Sequence, residues 1–392
     1  MGRVTNVWLD GLSAHGDPEA DAVIEEHAQR HPDVAPAETV KDVAAHLQLP
    51  SAQQSPSVAT YLAARPSKPL SQAQADLLDR GQRFFAEHAL EVGAALFCAS
   101  LPEAYASPRG ARVLVLTARL VSGPVRRVAE TAQMLFDVMT PDGLDPQHGA
   151  GYEDVRRVRL MHAAVRYFIE HDPSVPRTKY LPTPPHGWCA GWGRPLNQED
   201  LLGALLTFTV SVFEVLDKLG VEVDPEDLEA YLFRWKVIGW LLGIPDDVMP
   251  VDVAEAYEMA ALIRYRQLGP SNDGRELTSA LVTALANSIP FPPTRGLVPA
   301  TVHWFVGADT AEMIGVRSSP WTLLLEGPAG WLSDAIHLDE QHNQFVRTIM
   351  RHFGSVAIKA FMNGNRGENR PSFGIPDELA PSLKGPSRFR FV

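Results

Sequence analysis

Apolar residues recur every three or four positions along most of the chain, and the strict alternation typical of β-strands is nearly absent. This period lines apolar side chains along one face of a helix and predicts an all-α protein. The longest pattern begins at Ser71, with Leu77, Leu78, Phe84 and Phe85 on its buried face. Short helix starts are predicted at 17–18 and 39–47. Further helices are predicted after Gly123 and over 151–170, 197–220, 224–243, 252–267, 274–288, 300–314 and 337–362.

The distribution of Pro, Ser and Gln suggests how these helices are grouped. Residues 50–69 are rich in all three and are predicted to form a linking loop, so residues 1–70 are interpreted as a helical cap and linker. The main core is predicted to span residues 71–290 and to be followed by packed helices over 291–362. Residues 363–392, rich in Gly, Asn and Pro, are predicted to form an extended tail.

Charge and composition narrow the class of partner. The chain has 35 Lys and Arg against 47 Asp and Glu, a net charge of −12, which argues against nucleic acid as a partner. Its longest uncharged apolar stretch, 201–213, is shorter than the ~20 residues of a membrane-spanning helix. Two cysteines exclude a disulfide framework, and no export signal is visible at the N-terminus. These features predict a cytoplasmic protein without a membrane span.

Common catalytic signatures are missing from the sequence. There is no dinucleotide-binding GxGxxG, phosphate-binding GxxxxGK[ST], nucleophile GxSxG or haem-attaching CxxCH. His337 and His342 stand five residues apart, whereas the two histidines of a zinc-binding HExxH helix stand four apart. No Glu-x-x-His pair of the kind used by di-iron bundles occurs either. A helical enzyme using carboxylates on a metal is therefore the weakest hypothesis.

The helix predicted over 151–170 carries the most informative residues. Val158, His162, Val165 and Ile169 fall on one face, so the imidazole of His162 points into apolar surroundings. Arg159 and Arg166 flank it one turn before and one turn after. A neutral histidine in such surroundings can bind haem iron, and guanidinium groups suit the two propionates. The alternative is a core histidine whose two arginines pair with nearby acids.

Several ordered blocks of sequence add a resemblance. They are RxxHxxxR from Arg159 to Arg166, NQEDLLGALLTF from Asn197, EAYLFRWKVIGWLLGI from Glu229 and GRELT from Gly274. Together they resemble the rubber oxygenase (latex clearing protein) and mpaB-like oxygenase family over residues 71–288. The resemblance implies a globin-like helical core with additional N- and C-terminal helices. It also implies a non-covalent haem b with His162 as its proximal iron ligand.

The same resemblance places Arg127 and Thr131 on the distal side of the haem. Rubber-cleaving members carry a lysine before the threonine, where this chain has Glu130, and an upstream acid for which residues 111–113 offer no counterpart. Glu130 is interpreted either as an acid/base group, its pKa raised by burial, or as a solvated partner of an adjacent arginine.

These departures argue against cleavage of polyisoprene. The leading hypothesis is a haem b-dependent oxygenase that uses O2 or peroxide on a small lipophilic substrate, such as an alkene or terpenoid. A haem-binding helical protein without oxygenase turnover is the alternative.

Overall fold

The computed structural model describes residues 2–49, 53–118, 133–287 and 295–326. These residues form an all-α fold, which confirms the predicted class. A two-residue parallel pair, β1 (Arg177–Thr178) with β2 (Trp188–Cys189), lies in the long loop after α9. The predicted helix over 337–362 and the predicted tail lie outside the described residues.

The helices are α1 (Asn6–Ser13), α2 (Pro18–Arg30), α3 (Pro36–His46), α4 (Pro56–Ala63), α5 (Gln72–Glu87), α6 (Ala89–Ala95), α7 (Leu101–Tyr105), α8 (Pro108–Ala118), α9 (Ala150–His171), α10 (Gln198–Thr207), α11 (Val210–Lys218), α12 (Pro225–Leu241), α13 (Val253–Gln267), α14 (Asn272–Asn287), α15 (Leu297–Val306), α16 (Ala308–Met313) and α17 (Pro320–Glu326). A π-helical turn (Leu96–Ser100) joins α6 to α7, and residues 133–138 are also helical.

Polar residues start several of these helices where the sequence predicts it. The side chains of Ser71 and Asn197 accept from backbone N–H groups three residues on, and Gln74 and Asp200 bond back to them. Asp224 and Asp252 cap α12 and α13 in the same manner, each accepting from the first turn. Such caps satisfy N–H groups that have no partner within the helix. Local sequence therefore determines these helix starts.

Two predicted helices are broken in the structure. The pattern from Ser71 gives α5 up to Glu87, and the chain then bends by 85° at His88. Every residue over 89–100 is buried, whereas α5 buries one face only. This segment is apolar apart from Glu91 and Ser100, and a mostly apolar segment is stable in the core, so it leaves the course of the amphipathic α5. The predicted helix over 197–220 is likewise divided into α10 and α11.

The predicted linker over 50–69 also differs from the structure. Part of it forms α4, which begins at Pro56, a residue that favours the first position of a helix. Val58 and Leu62 of this helix enter the hydrophobic core that also contains Ile24 of α2. In the sequence, the prolines of residues 50–69 indicate a loop more strongly than the short apolar pattern of α4 indicates a helix.

Two hydrophobic cores organise the fold, and α9 contributes to both. Tyr152 and Val155 in its first turns join the larger core, which is formed mainly by α5–α7 and α10–α15. Leu160, Phe168 and Ile169 join the smaller core, built from α2, α3, α4 and the end of α8. Helix α9 therefore connects the N-terminal helices to the main body.

A buried arginine of α12 holds three chain segments together. Arg234 is 3% exposed, and its guanidinium donates to the carbonyls of Val138 and Thr140 at the end of the helical residues 133–138 and to that of Leu78 within α5. Burial lowers the pKa of Arg234 to about 10. Because carbonyl oxygens at a helix C-terminus carry partial negative charge, they suit a cation here. The contact fixes the end of the helical residues 133–138 against α5 and α12.

His27 links three helices of the N-terminal part. Its Nδ1 lies 3.1 Å from the hydroxyl of Ser55 and its Nε2 lies 2.8 Å from a carboxylate oxygen of Asp42. The rings of His31 and His46 lie 5.0 and 5.7 Å from its own ring. Burial lowers the pKa of His27, an effect that Asp42 opposes and the two histidines reinforce.

Among the described helices, none is by itself long and apolar enough to cross a bilayer. In the described residues, α5 together with residues 89–105 is long and apolar enough, but the two parts are bent by 85° at His88.

Acidification is expected to destabilise the protein through His27. The folded state holds its pKa below the ordinary 6.5, so the unfolded chain binds the proton more tightly. This contribution is fully present above pH 6.5 and is lost as the pH falls through the pKa of the folded state. We expect the loss of thermal stability between pH 7.5 and 5 to shrink in His27→Gln.

The control for this experiment is His148→Gln, since His148 is 70% exposed. Thermal unfolding followed by circular dichroism at both pH values measures the effect. Equal pH dependence in wild type and His27→Gln would show that His27 does not control it.

Candidate functional site

Helix α9 carries three of the predicted site residues, Arg159, His162 and Arg166. The helix ends at His171, where Asp172 adopts an extended conformation before Pro173. Its start packs closely on the preceding segment: a Cβ atom at Gly151 would lie only 2.6 Å from the Cα of Val138. Glycine therefore allows the first turn of α9 to approach the helical residues 133–138.

His162 lies half-buried in the middle of α9, where the helix passes from one core to the other. On its face of the helix, Val165 and Ile169 are buried and Val158 is half-buried, as the spacing predicts. The described surroundings on its own helix are therefore mainly apolar. The neutral imidazole is the form of histidine that binds metals.

Arg159 is bound to the N-terminal segment of the chain. Its Nε and Nη2 donate to the two carboxylate oxygens of Asp17 at 2.5 and 2.8 Å, and Nη2 also donates to Glu19 at 2.9 Å. Burial disfavours the cation, but the hydrogen bond and charge of Asp17 outweigh it and raise the pKa of Arg159. Gly243, at φ +90°, lies directly against this ion pair.

Arg166 is 1% exposed and has three protein acceptors. Its Nη1 donates to Asp21, while Nε and Nη2 donate to the carbonyls of Pro195 and Leu196 at 3.0 and 2.7 Å. Burial raises the pKa of Asp21, an effect that Arg166 and Arg194 oppose. The loop before α10 and the first turn of α2 thus meet at one guanidinium.

His162 is better suited to bind a haem than Arg159 and Arg166 are. The imidazole of His162 is a donor that haem iron accepts, and its position on an apolar face suits that role. The guanidiniums of Arg159 and Arg166 already donate to carboxylates or carbonyls of the protein itself. Their predicted binding to propionates is not tested by this structure and stays a prediction.

A second group of buried charges joins α8 to α10. Nε of Arg109 lies 2.6 Å from a carboxylate oxygen of Asp200, and its Nη2 lies 3.1 Å from Glu199. Burial raises the pKa of Asp200 to about 6, since Arg109 offsets the desolvation only in part and Glu199 adds to it. Arg109 also donates to the carbonyl of Trp192, so the loop before α10 is held from both α8 and α9.

The predicted distal residues Arg127, Glu130 and Thr131 lie outside the described residues, as do His337 and His342. The structure therefore brings together Arg159, His162 and Arg166 on one helix and leaves the distal residues as a prediction. Within the described ranges, no group of three or more His, Cys, Asp or Glu residues has the geometry to hold a metal ion.

Sequence reasoning did not find Asp17, Asp21 or Arg109 as partners around α9. At Asp17 the sequence predicts only a helix start. Asp17 does cap α2, where its side chain accepts from the N–H of Ala20. Its contact with Arg159 spans 142 positions of the chain, so no local pattern reveals it. The acids of the first turn of α2 were the only signal available, because buried arginines need anionic partners.

A model of the family described as ER-bound oxygenase mpaB/B'/rubber oxygenase, catalytic domain, matches residues 87–333. This range is more than half of the chain and includes α9 and the loop before α10. The chain belongs to this family. The family resemblance inferred from the sequence blocks is thus confirmed. Helices α1–α4, which supply Asp17 and Asp21, precede the matched range.

Among curated proteins, a rubber oxygenase from Streptomyces sp. (strain K30) is 27% identical over 243 residues. The match covers 62% of this chain and 56% of the relative, so little more than half of the relative is represented here. Among solved structures, latex clearing protein LCP in its closed state aligns with a TM-score of 0.65 and 24% identity. That alignment covers 87% of this chain and 90% of the other. This likeness shows a shared fold.

Substitution of Gly243 tests whether the Asp17–Arg159 pair depends on a close backbone approach. A Cβ atom there would lie 2.7 Å from Nε of Arg159, and φ +90° disfavours residues with side chains. We expect Gly243→Ala to lower the free energy of unfolding by more than about 1 kcal/mol, measured by urea denaturation.

The matched control is Gly11→Ala in α1, where an added Cβ meets nothing within 4 Å. Alanine there should be neutral or stabilising by about 0.5–1 kcal/mol. If the two variants lost the same stability, Gly243 would have no special role beside the ion pair.

Proposed function

We propose that this protein is a haem b-dependent oxygenase that uses O2 or peroxide on a small lipophilic substrate. The observation that carries the proposal is the family match over 87–333, within which His162 occupies the middle of α9 on an apolar face. The family is described as one of oxygenases, and the curated relative is named rubber oxygenase. The relative is matched over only 56% of its length, so oxygenase activity is proposed for this chain.

In this proposal His162 is the proximal ligand of the iron. Haem, when bound, supplies the activation of O2 or peroxide. The chain supplies an imidazole held at a fixed point on a helix whose two halves are packed in separate cores. Val165 and Ile169, on the same face of α9, are buried and provide apolar neighbours.

Arg127, Glu130 and Thr131 are proposed to act on the reactant that the haem would activate. The hydroxyl of Thr131 and the guanidinium of Arg127 are hydrogen-bond donors for an oxygen-containing reactant. Glu130 is proposed to move a proton, because it is the titratable group at the position where rubber-cleaving members carry lysine. That difference is also why a small lipophilic molecule, and not a polymer, is the proposed substrate.

The same difference supports a second candidate, a haem-binding protein without oxygenase turnover. The two candidates make different predictions for turnover. Oxygen or peroxide consumption by the haem-loaded chain, with products from a panel of small alkenes and terpenoids, would support the oxygenase. Stoichiometric haem with complete inertness across the panel would support the second candidate. A cytoplasmic location stays a prediction in either case.

Replacement of His162 tests the ligand assignment. We expect His162→Gly to reduce the bound b-type haem at least tenfold, measured by the Soret band and a pyridine haemochrome assay. Because the missing group is an imidazole, added free imidazole is expected to restore the spectrum of histidine-ligated iron.

The control is His148→Gly, an exposed histidine in the loop before α9 that should retain full haem content. Full retention of haem with an unchanged spectrum in His162→Gly would refute the assignment. Loss of haem in both variants alike would also count against a specific role of His162.

A further inference from the structure

We infer that Arg159 and Arg166 are positioning residues: they hold α9, and with it His162, against α2 through the carboxylates of Asp17 and Asp21. The inference rests on the proposed function in that His162 is the group being positioned. Of the two alternatives that the sequence leaves open, it favours arginines paired with nearby acids over guanidiniums that bind the propionates of haem.

The geometry supplies two attachment points between the helices. Arg159 precedes His162 by one turn and Arg166 follows it by one turn, while Asp17 caps α2 and Asp21 lies four residues further on. Each arginine meets its own carboxylate, so the two pairs are separated along both helices. Two separated contacts restrain the orientation of α9 on α2 more than one contact would, in addition to the packing of both helices in the smaller core.

A third arginine connects α9 to another N-terminal helix, α4. Arg156 is 2% exposed, and its Nη1 donates to the carbonyl of Leu62 at 2.9 Å near the end of α4. Its guanidinium also lies over the ring of Tyr61, 4.4 Å from the ring centre. All three buried arginines of α9 therefore bind residues of the N-terminal helices.

Burial makes exchange of these partners costly. The side chains of Asp17 and Asp21 are 5% and 12% exposed, and a propionate could take the place of either carboxylate only by displacing it. The displaced carboxylate would then be left buried without its cation, which is strongly unfavourable. The negative charge that the guanidiniums require is thus already provided by the chain.

The acids that supply this charge lie in α2, before the range 87–333 that matches the family model, whereas α9 lies inside it. The N-terminal helices are therefore interpreted as part of the machinery that orients the site.

Double-mutant cycles on the full chain prepared without haem test the inference. One cycle combines Arg159→Met with Asp17→Asn, and the other combines Arg166→Met with Asp21→Asn. Asn at position 17 keeps a side-chain oxygen for the α2 cap and removes only the charge. In each cycle we expect coupling of at least about tenfold in the unfolding equilibrium constant, measured by urea denaturation.

Glu19→Gln is the matched control, because Glu19 also contacts Arg159 but is 62% exposed. We expect less than about a threefold change in the same constant. Additive effects within both cycles would overturn the inference.

A second readout separates positioning from propionate binding. Wild type and Arg159→Met are titrated with haem and with haem dimethyl ester, which has no free carboxylates. If Arg159 acts by positioning, the variant loses the same factor of affinity for both molecules, and Asp17→Asn loses a similar factor. A loss confined to haem, with Asp17→Asn unaffected, would overturn the inference.

The haem-free cycles remain decisive if neither molecule binds the wild-type chain. That result would refute the proposed function, while coupling in the cycles would still establish Arg159 and Arg166 as residues that hold α9 on α2.

Discussion

This fold depends on one constraint: each buried guanidinium group must have hydrogen-bond acceptors. Arg156, Arg159 and Arg166 project from α9 into regions that are nearly closed to solvent. An isolated charge in such a place is too costly to retain, so each arginine fixes the position of whatever segment neutralises or hydrogen-bonds it. Helices α2 and α4 and the loop before α10 are held on α9 for this reason, and the hydrophobic cores fill the space between them.

The loop before α10 extends this constraint to the rest of the protein. Its carbonyls at Pro195 and Leu196 bind Arg166, and that of Trp192 binds Arg109 of α8. Along the chain, helix α8 precedes the residues predicted to lie on the distal side, Arg127, Glu130 and Thr131. The segment before α9, the helical residues 133–138, is held separately by Arg234. Buried cations therefore hold both segments that flank residues 119–132 in the sequence: α8 is joined to the helix of His162 through the loop before α10, and residues 133–138 are joined to α5 and α12 through Arg234.

Local patterns in the sequence predict much of the fold, because a helix start and an amphipathic face are encoded within a few residues. Ser71 and Asn197 are examples, and the apolar face around His162 is another. The bend at His88 was not predictable in this way, since it follows from complete burial of the next segment by distant helices. The Asp17–Arg159 pair was missed for the same reason. Its partners are separated by most of the N-terminal half, and the charge of Arg159 alone does not distinguish a haem propionate from an aspartate.

Hydrogen exchange measured by mass spectrometry on the full chain without haem tests most directly whether the carboxylates of α2 hold α9. The comparison is between wild type and the Asp17→Asn/Asp21→Asn variant. The account predicts faster exchange over residues 159–169 of α9 and unchanged exchange in α14, which packs on α7, α8 and α15. Unchanged protection of α9, or an equal increase in both helices, would contradict it.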